Sequence, residues 1–130
     1  MAKVLIADDN RELADTIARL LEMSGFEVAV AYDGEAALAE VARSPPEAVV
    51  LDIAMPGVDG ITVGALIREK CGRQIRLLAL TARGDPEIQR TVAAVGFDAL
   101  LQKPASLYQI VNSLRHGGAR GITTEAGDAT

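Results

Sequence analysis

Five short apolar segments recur along the chain, and each is followed by a longer stretch whose apolar residues fall at helical spacing. A short apolar run bounded by turn residues is typical of a buried strand. Strands that alternate with helices over short connections form a parallel sheet with helices on both faces. We therefore expect a doubly wound α/β domain of the (βα)5 type. The predicted strands cover residues 3–7, 27–31, 48–52, 75–80 and 99–101.

Capping residues indicate where several helices begin. Asp9 or Asn10 can cap the first helix, and Asp85, which precedes a proline, is a strong start for the fourth. Asp33 and the glycine after it are expected to turn the chain before the second helix. Apolar residues at helical spacing predict the buried faces of two helices. In the first helix they are Leu13, Ile17, Leu20 and Leu21, and in the third helix they are Ile61, Ala65, Leu66 and Ile67.

The last part of the chain differs from the rest. Residues 117–130 are small and polar, and Ile122 is their one large apolar residue. We expect one folded domain over residues 1–116 and a flexible tail or linker over 117–130.

Composition and charge argue against several classes of protein. A net charge of −5 disfavours nucleic-acid binding as the main activity of the domain. No apolar run approaches the length of a membrane span, and no signal peptide of the usual form is evident, so we expect no membrane association and a cytoplasmic location. Cys71 is the only cysteine, which rules out an intrachain disulfide and disfavours a thiol metal cluster.

Asp52 stands where the most apolar of the predicted strands reaches the surface. A loop containing Pro56, Gly57 and Gly60 follows it. Ligands and chemistry in open α/β sheets collect at the carboxyl ends of the strands, which suggests a functional role for this carboxylate. Taken alone, Asp52 could equally be an ordinary turn residue.

Other polar residues also stand at strand ends. Asp8 and Asp9 follow the first strand, Thr81 stands where the fourth strand ends at Leu80, and Lys103 follows the fifth. In a parallel sheet all of these would meet Asp52 at one edge. Crowded carboxylates repel one another unless a cation neutralises them, and Mg²⁺ suits carboxylates that share it with water and phosphate. A hydroxyl and an ammonium beside them could hold phosphoryl oxygens.

Each of these residues has an ordinary structural alternative. Asp8 or Asp9 could cap the first helix, Thr81 could make a local turn bond, and Lys103 could be a solvated surface lysine. The functional interpretation is favoured because each residue falls at the carboxyl end of a different strand.

In combination these residues resemble the receiver domain of two-component response regulators. The resemblance spans residues 3 to 115 and rests on the acidic pair after the first strand, the segment 52–60, the segment 80–82 and the Lys103-Pro104 pair. It implies a flavodoxin-like sheet with strand order 2-1-3-4-5. The segment 96–104 is also similar to the receivers of hybrid histidine kinases.

The resemblance implies a role for each residue at the strand ends. Asp52 would accept a phosphoryl group from a phosphohistidine, which makes the domain a signalling phosphoacceptor of a phosphorelay that catalyses only its own phosphorylation and dephosphorylation. Asp8, Asp9, Asp52 and the main-chain carbonyl of Ala54 would bind Mg²⁺. Lys103 would pair with the phosphoryl oxygens, and the Thr81 hydroxyl would bond to one of them. The Lys103-Pro104 peptide bond would be cis.

The implied partners are a sensor histidine kinase or a histidine phosphotransfer protein, and a downstream protein that docks on the fourth helix, fifth strand and fifth helix. One position departs from the family. Leu100 occupies the place of the aromatic residue that moves with the threonine in receivers. The usual threonine–aromatic coupling is therefore in doubt, and we expect a signal to pass through the 81–85 loop and the fourth helix.

Three other classes share part of this pattern. A haloacid-dehalogenase-type phosphatase needs a second aspartate at the position that Ala54 occupies. A flavodoxin-like flavin binder needs a phosphate cradle where Asp8 and Asp9 stand. A receiver that only docks, without phosphorylation, would not need Asp9, Asp52, Thr81 and Lys103 together, although the sequence does not exclude it.

Overall fold

The computed structural model describes residues 2–116, and its five strands form one parallel sheet in the order β2-β1-β3-β4-β5. The predicted fold class and strand order are confirmed. The strands are β1 (Lys3–Ala7), β2 (Glu27–Ala31), β3 (Ala48–Asp52), β4 (Arg76–Thr81) and β5 (Ala99–Gln102). The helices are α1 (Arg11–Met23), α2 (Gly34–Arg43), α3 (Gly60–Cys71), α4 (Pro86–Val95) and α5 (Leu107–His116).

The sheet separates two apolar cores. Val49 and Leu51 of β3 point into the core that contains residues of α2, α3 and α4, whereas Val50 points into the core beneath α1 and α5. All of β3 is buried. The apolar run from Ala48 to Leu51 follows from this position, because a central parallel strand contacts helices on both faces.

Two predicted helix faces differ from the structure. Leu20 is exposed, and the buried face of α1 is formed by Ala14, Ile17, Ala18 and Leu21. Ala65 is exposed as well, and α3 buries Val63, Gly64 and Ile67. Gly64 lies against the Phe97 ring in the core. A Cβ atom at this position would be 2.4 Å from the ring, so the ring fits only because glycine has no side chain.

Side-chain caps fix the start of each helix that leads away from the carboxyl edge. The first cap, which the sequence left open between two residues, is Asn10, whose side chain accepts the Leu13 N–H at 3.1 Å. Asp33 lies in the bend between β2 and α2, as predicted. It also caps α2 by accepting the Ala36 N–H at 2.7 Å. Asp85 caps α4 in the same way, as the sequence predicts.

The folded domain continues to the end of α5 at His116. The predicted tail or linker at 117–130 lies outside the described residues. Among the described residues, no helix has the length and apolar character needed to cross a membrane.

Candidate functional site

The carboxyl edge of the sheet brings together the polar residues at the strand ends. Asp52 is the last residue of β3, and Thr81 is the last residue of β4. Strand register aligns Asp52 with Leu80, so Thr81 lies one residue beyond it on the neighbouring strand. Asp8 is the first residue after β1, and Lys103 is the first residue after β5.

Three carboxylates crowd this edge. One oxygen from each of Asp8, Asp9 and Asp52 lies within 4.8 Å of the other two. Asp8 and Asp52 are only 1% and 4% exposed, whereas Asp9 faces solvent. Two buried carboxylates and one exposed carboxylate thus form a cluster that is open on one side.

Lys103 is the cation in direct contact with the two buried carboxylates. Its Nζ atom lies 3.3 Å from Asp8 Oδ2 and 3.2 Å from Asp52 Oδ2. The peptide bond between Lys103 and Pro104 is cis, as the resemblance implies, and the Lys103 N–H donates to the Thr81 carbonyl at 2.7 Å. The backbone of β4 therefore holds the lysine at the site.

One ammonium does not neutralise this cluster. Burial and then the negative charge of Asp8 raise the pKa of Asp52 from 3.8 to about 6, and Lys103 opposes this shift only in part. A further cation among the oxygen atoms would relieve the repulsion. The donor set is wholly oxygen, which fits a hard divalent ion such as Mg²⁺.

Backbone groups orient both buried carboxylates. Asp8 Oδ1 accepts the N–H of Asn10 at 3.0 Å, and Asp52 Oδ1 accepts the N–H of Ala54 at 3.2 Å. Each carboxylate is thus held at the first turn after its strand.

Gly60 is a residue of the site that the sequence did not identify. A Cβ atom at this position would lie 2.3 Å from the Asp52 carbonyl oxygen, so only glycine lets α3 begin against the end of β3. The glycine itself is visible in the sequence, but its close approach to Asp52 depends on the fold.

The Thr81 hydroxyl is engaged by the loop that follows it. Thr81 Oγ1 donates to the Arg83 carbonyl at 2.8 Å and accepts the Arg83 N–H at 3.0 Å. Leu100 has no contact with solvent and packs in the core that includes Val92 and Phe97.

The response regulator receiver domain model matches residues 4–115. The chain belongs to this family. It is therefore a signalling domain of the kind found in two-component response regulators. The sensory transduction protein RegX3 of Mycolicibacterium smegmatis is 36% identical over 96% of this chain and 54% of its own length. The transcriptional regulatory protein CpxR of Klebsiella pneumoniae is 38% identical over 100% of this chain and 57% of its own length. The receiver domain therefore spans about half the length of these relatives.

Solved structures have the same fold. The chemotaxis protein CheY4 of Vibrio cholerae superposes with a TM-score of 0.86 at 28% identity, over 91% of this chain and 99% of that chain. A response regulator from Burkholderia pseudomallei, solved with a phosphorylated aspartic acid, a calcium ion and citrate, gives a TM-score of 0.83 at 27% identity. That comparison covers 89% of this chain and 68% of the other.

Proposed function

We propose that this receiver domain accepts a phosphoryl group on Asp52 from a phosphohistidine of a sensor histidine kinase or a phosphotransfer protein, and that phosphorylation changes its affinity for a downstream protein. The observation that carries the proposal is the contact between Lys103 Nζ and Asp52 Oδ2 inside the acidic cluster. The phosphorylated aspartic acid in the Burkholderia pseudomallei regulator supports it by similarity.

The transfer needs little covalent chemistry from the protein. A carboxylate oxygen of Asp52 forms a bond to phosphorus as the bond from phosphorus to the imidazole nitrogen breaks, and the imidazole retains that electron pair. Phosphoryl transfer depends mainly on positioning and on neutralising charge. Lys103 contributes both, because its ammonium already lies beside the attacking group. Attack of water on the acyl phosphate later restores Asp52.

The residues present fit a magnesium ion. Asp8, Asp9 and Asp52 would hold it through carboxylate oxygens that already lie within 4.8 Å of one another, and the Ala54 carbonyl is a further proposed ligand. When bound, Mg²⁺ neutralises negative charge on the carboxylates and on the incoming phosphoryl group.

Thr81 would donate its hydroxyl proton to a phosphoryl oxygen, which requires the hydroxyl to give up its bond to the Arg83 carbonyl. We propose the face formed by α4, β5 and α5 as the docking site of the downstream protein, and the cytoplasm as the location of the domain.

That the domain belongs to a hybrid histidine kinase stays a prediction. The phosphatase alternative has no support at position 54, where the side chain is a methyl group.

The test is intact-protein mass spectrometry after incubation with phosphoramidate, with and without Mg²⁺, beside Asp52→Asn. The expected result is a Mg²⁺-dependent gain of one phosphoryl group that the variant does not show. Failure of the wild type to gain mass or to bind Mg²⁺ would favour a receiver that acts by docking alone.

A further inference from the structure

The loop between β4 and α4 would compete with a phosphoryl group on Asp52 for the proton of the Thr81 hydroxyl. A hydroxyl has a single proton to donate, and Thr81 Oγ1 donates it to the Arg83 carbonyl at 2.8 Å. Thr81 therefore cannot donate to a phosphoryl oxygen on Asp52 while this bond persists. If the phosphoryl group captures the hydroxyl proton, the bond from Thr81 to the Arg83 carbonyl is lost, and the loop is released from that contact.

Leu100 is poorly suited to report this rearrangement. It is 0% exposed and is packed in the same core as Val92 and Phe97. An apolar side chain has no hydrogen bond to exchange, and a close-packed core contains few voids into which it could move. Leu100 therefore has no polar contact through which it could follow a change at Thr81.

Gln102 provides another connection between the loop and β5. Gln102 is the strand partner of Thr81 in the β4–β5 ladder. It is exposed on the surface, and its amide lies against Gly84, where an added Cβ atom would be 2.9 Å from Gln102 Oε1 and 3.4 Å from Cδ. The last residue of β5 thus contacts the loop that holds the Thr81 hydroxyl.

Gln89 makes the corresponding contact from α4. Its Nε2 atom donates to the carbonyl of Gly84 at 2.8 Å. Gly84 therefore lies between two glutamine side chains, one from the strand and one from the helix. A displacement of the loop would change both contacts.

We infer that Gln102 and Gln89 are positioning residues that couple the Thr81 loop to β5 and to α4. The inference rests on the proposed function, because it describes how phosphorylation of Asp52 would reach the α4–β5–α5 face. Neither glutamine touches the reacting atoms, so each acts on the signal and not on the transfer.

The experiment follows amide NMR shifts of the full chain on addition of phosphoramidate and Mg²⁺, with mass spectrometry of the same samples. Gln102→Ala and Gln89→Ala are compared with the wild type, and Gln74→Ala is the control because Gln74 is exposed and precedes β4. Both test variants should accept as much phosphoryl group as the wild type. Phosphorylation should change the amide shift of Leu101 by about half as much, or less, in Gln102→Ala as in the wild type. The same reduction is expected for the amide shift of Val92 in Gln89→Ala, as expected for local coupling.

Gly84→Ala provides an independent second variant. Its methyl group would displace only the flexible end of Gln102, so the domain should fold and respond like Gln102→Ala. Gln102→Glu, which keeps the length and Oε1 of the side chain, should restore part of the response at Leu101. If Gln102→Ala and Gly84→Ala both take up the phosphoryl group and both show the wild-type change in the Leu101 amide shift, the inference is overturned. Absence of uptake in the wild type would overturn the proposed function, and this inference with it.

Discussion

Lys103 Nζ lies 3.2 Å from Asp52 Oδ2, although the two residues come from different strand ends. Removing the ammonium should slow phosphorylation, since charge placed beside a transferring group commonly contributes a factor of about 10² to its rate. We expect Lys103→Met to lower the initial rate of phosphoramidate-dependent phosphorylation by about that factor, measured by mass spectrometry. Lys70→Met, at an exposed lysine of α3, is the control. An unchanged rate in Lys103→Met would remove Lys103 from the proposed mechanism.

The charge of Asp52 should lower stability in metal-free buffer. Burial and the charge of Asp8 raise the pKa of Asp52 from 3.8 to about 6. An acid with a raised pKa in the folded state favours folding fully below its unfolded pKa, and this contribution is lost as pH rises through the folded pKa. Asp52→Asn should therefore have a higher free energy of unfolding than the wild type at pH 7.5. The difference between the two free energies should become smaller as the pH falls towards 4.

The measurement is the free energy of unfolding from urea titrations in a chelator, taken across this range of pH. Comparing the two proteins at each pH cancels the opposite trend from Asp85, whose pKa is lowered by the Ile88 N–H and by Arg83. A margin that stays constant with pH would show that Asp52 titrates normally.

Binding of Mg²⁺ should stabilise the domain, because an ion that binds only the folded state raises stability with its concentration. We expect the melting temperature to rise with Mg²⁺ in the wild type and to change much less in Asp9→Asn. Asp9 is exposed and is not a helix cap in the structure, so this variant should fold. Glu12→Gln, at an exposed acid in the first turn of α1, is the control and should respond like the wild type. Equal responses of all three proteins would argue against a site that contains Asp9.

The sequence was sufficient to place the main site residues because each one lies next to a strand end. Once the strands are parallel, Asp8, Asp52, Thr81 and Lys103 must share one edge, whatever the details of packing. The order of the strands came from resemblance to a family, since the alternation of strands and helices is compatible with other orders.

Other features of the site depend on contacts between distant segments. The bonds of Thr81 to Arg83, the approach of Gly60 to Asp52 and the contact of Gln102 with Gly84 are all set by how loops pack. Residue type alone does not reveal them, because a glycine or a glutamine in a loop has many ordinary explanations. For the same reason the sequence predicts the bend at Asp33 but not the cap that Asp33 provides for α2.

Arg68 forms a network at the opposite edge of the sheet that should support the stability of the domain. Its guanidinium donates to Asp98 Oδ2 at 2.8 Å and to the carbonyls of Gly96, Gly72 and Ile75 at 2.8, 2.8 and 2.6 Å. The side chain is only 10% exposed, and burial lowers the pKa of its guanidinium. The same Asp98 oxygen also accepts the Leu77 N–H at 2.9 Å, so the network joins α3, β4 and the turn before β5.

Replacing Arg68 would leave the Asp98 carboxylate without its cation in a partly buried place, a change that typically costs about 3 kcal/mol. We expect Arg68→Met to lower the free energy of unfolding by about that amount in urea titrations. Arg68→Lys should recover only part of the loss, because an ammonium cannot reproduce the planar array of donors. Arg19→Met, at an exposed arginine of α1, is the control and should change stability little. Equal stability of Arg68→Met and the wild type would show that the network contributes no net stability.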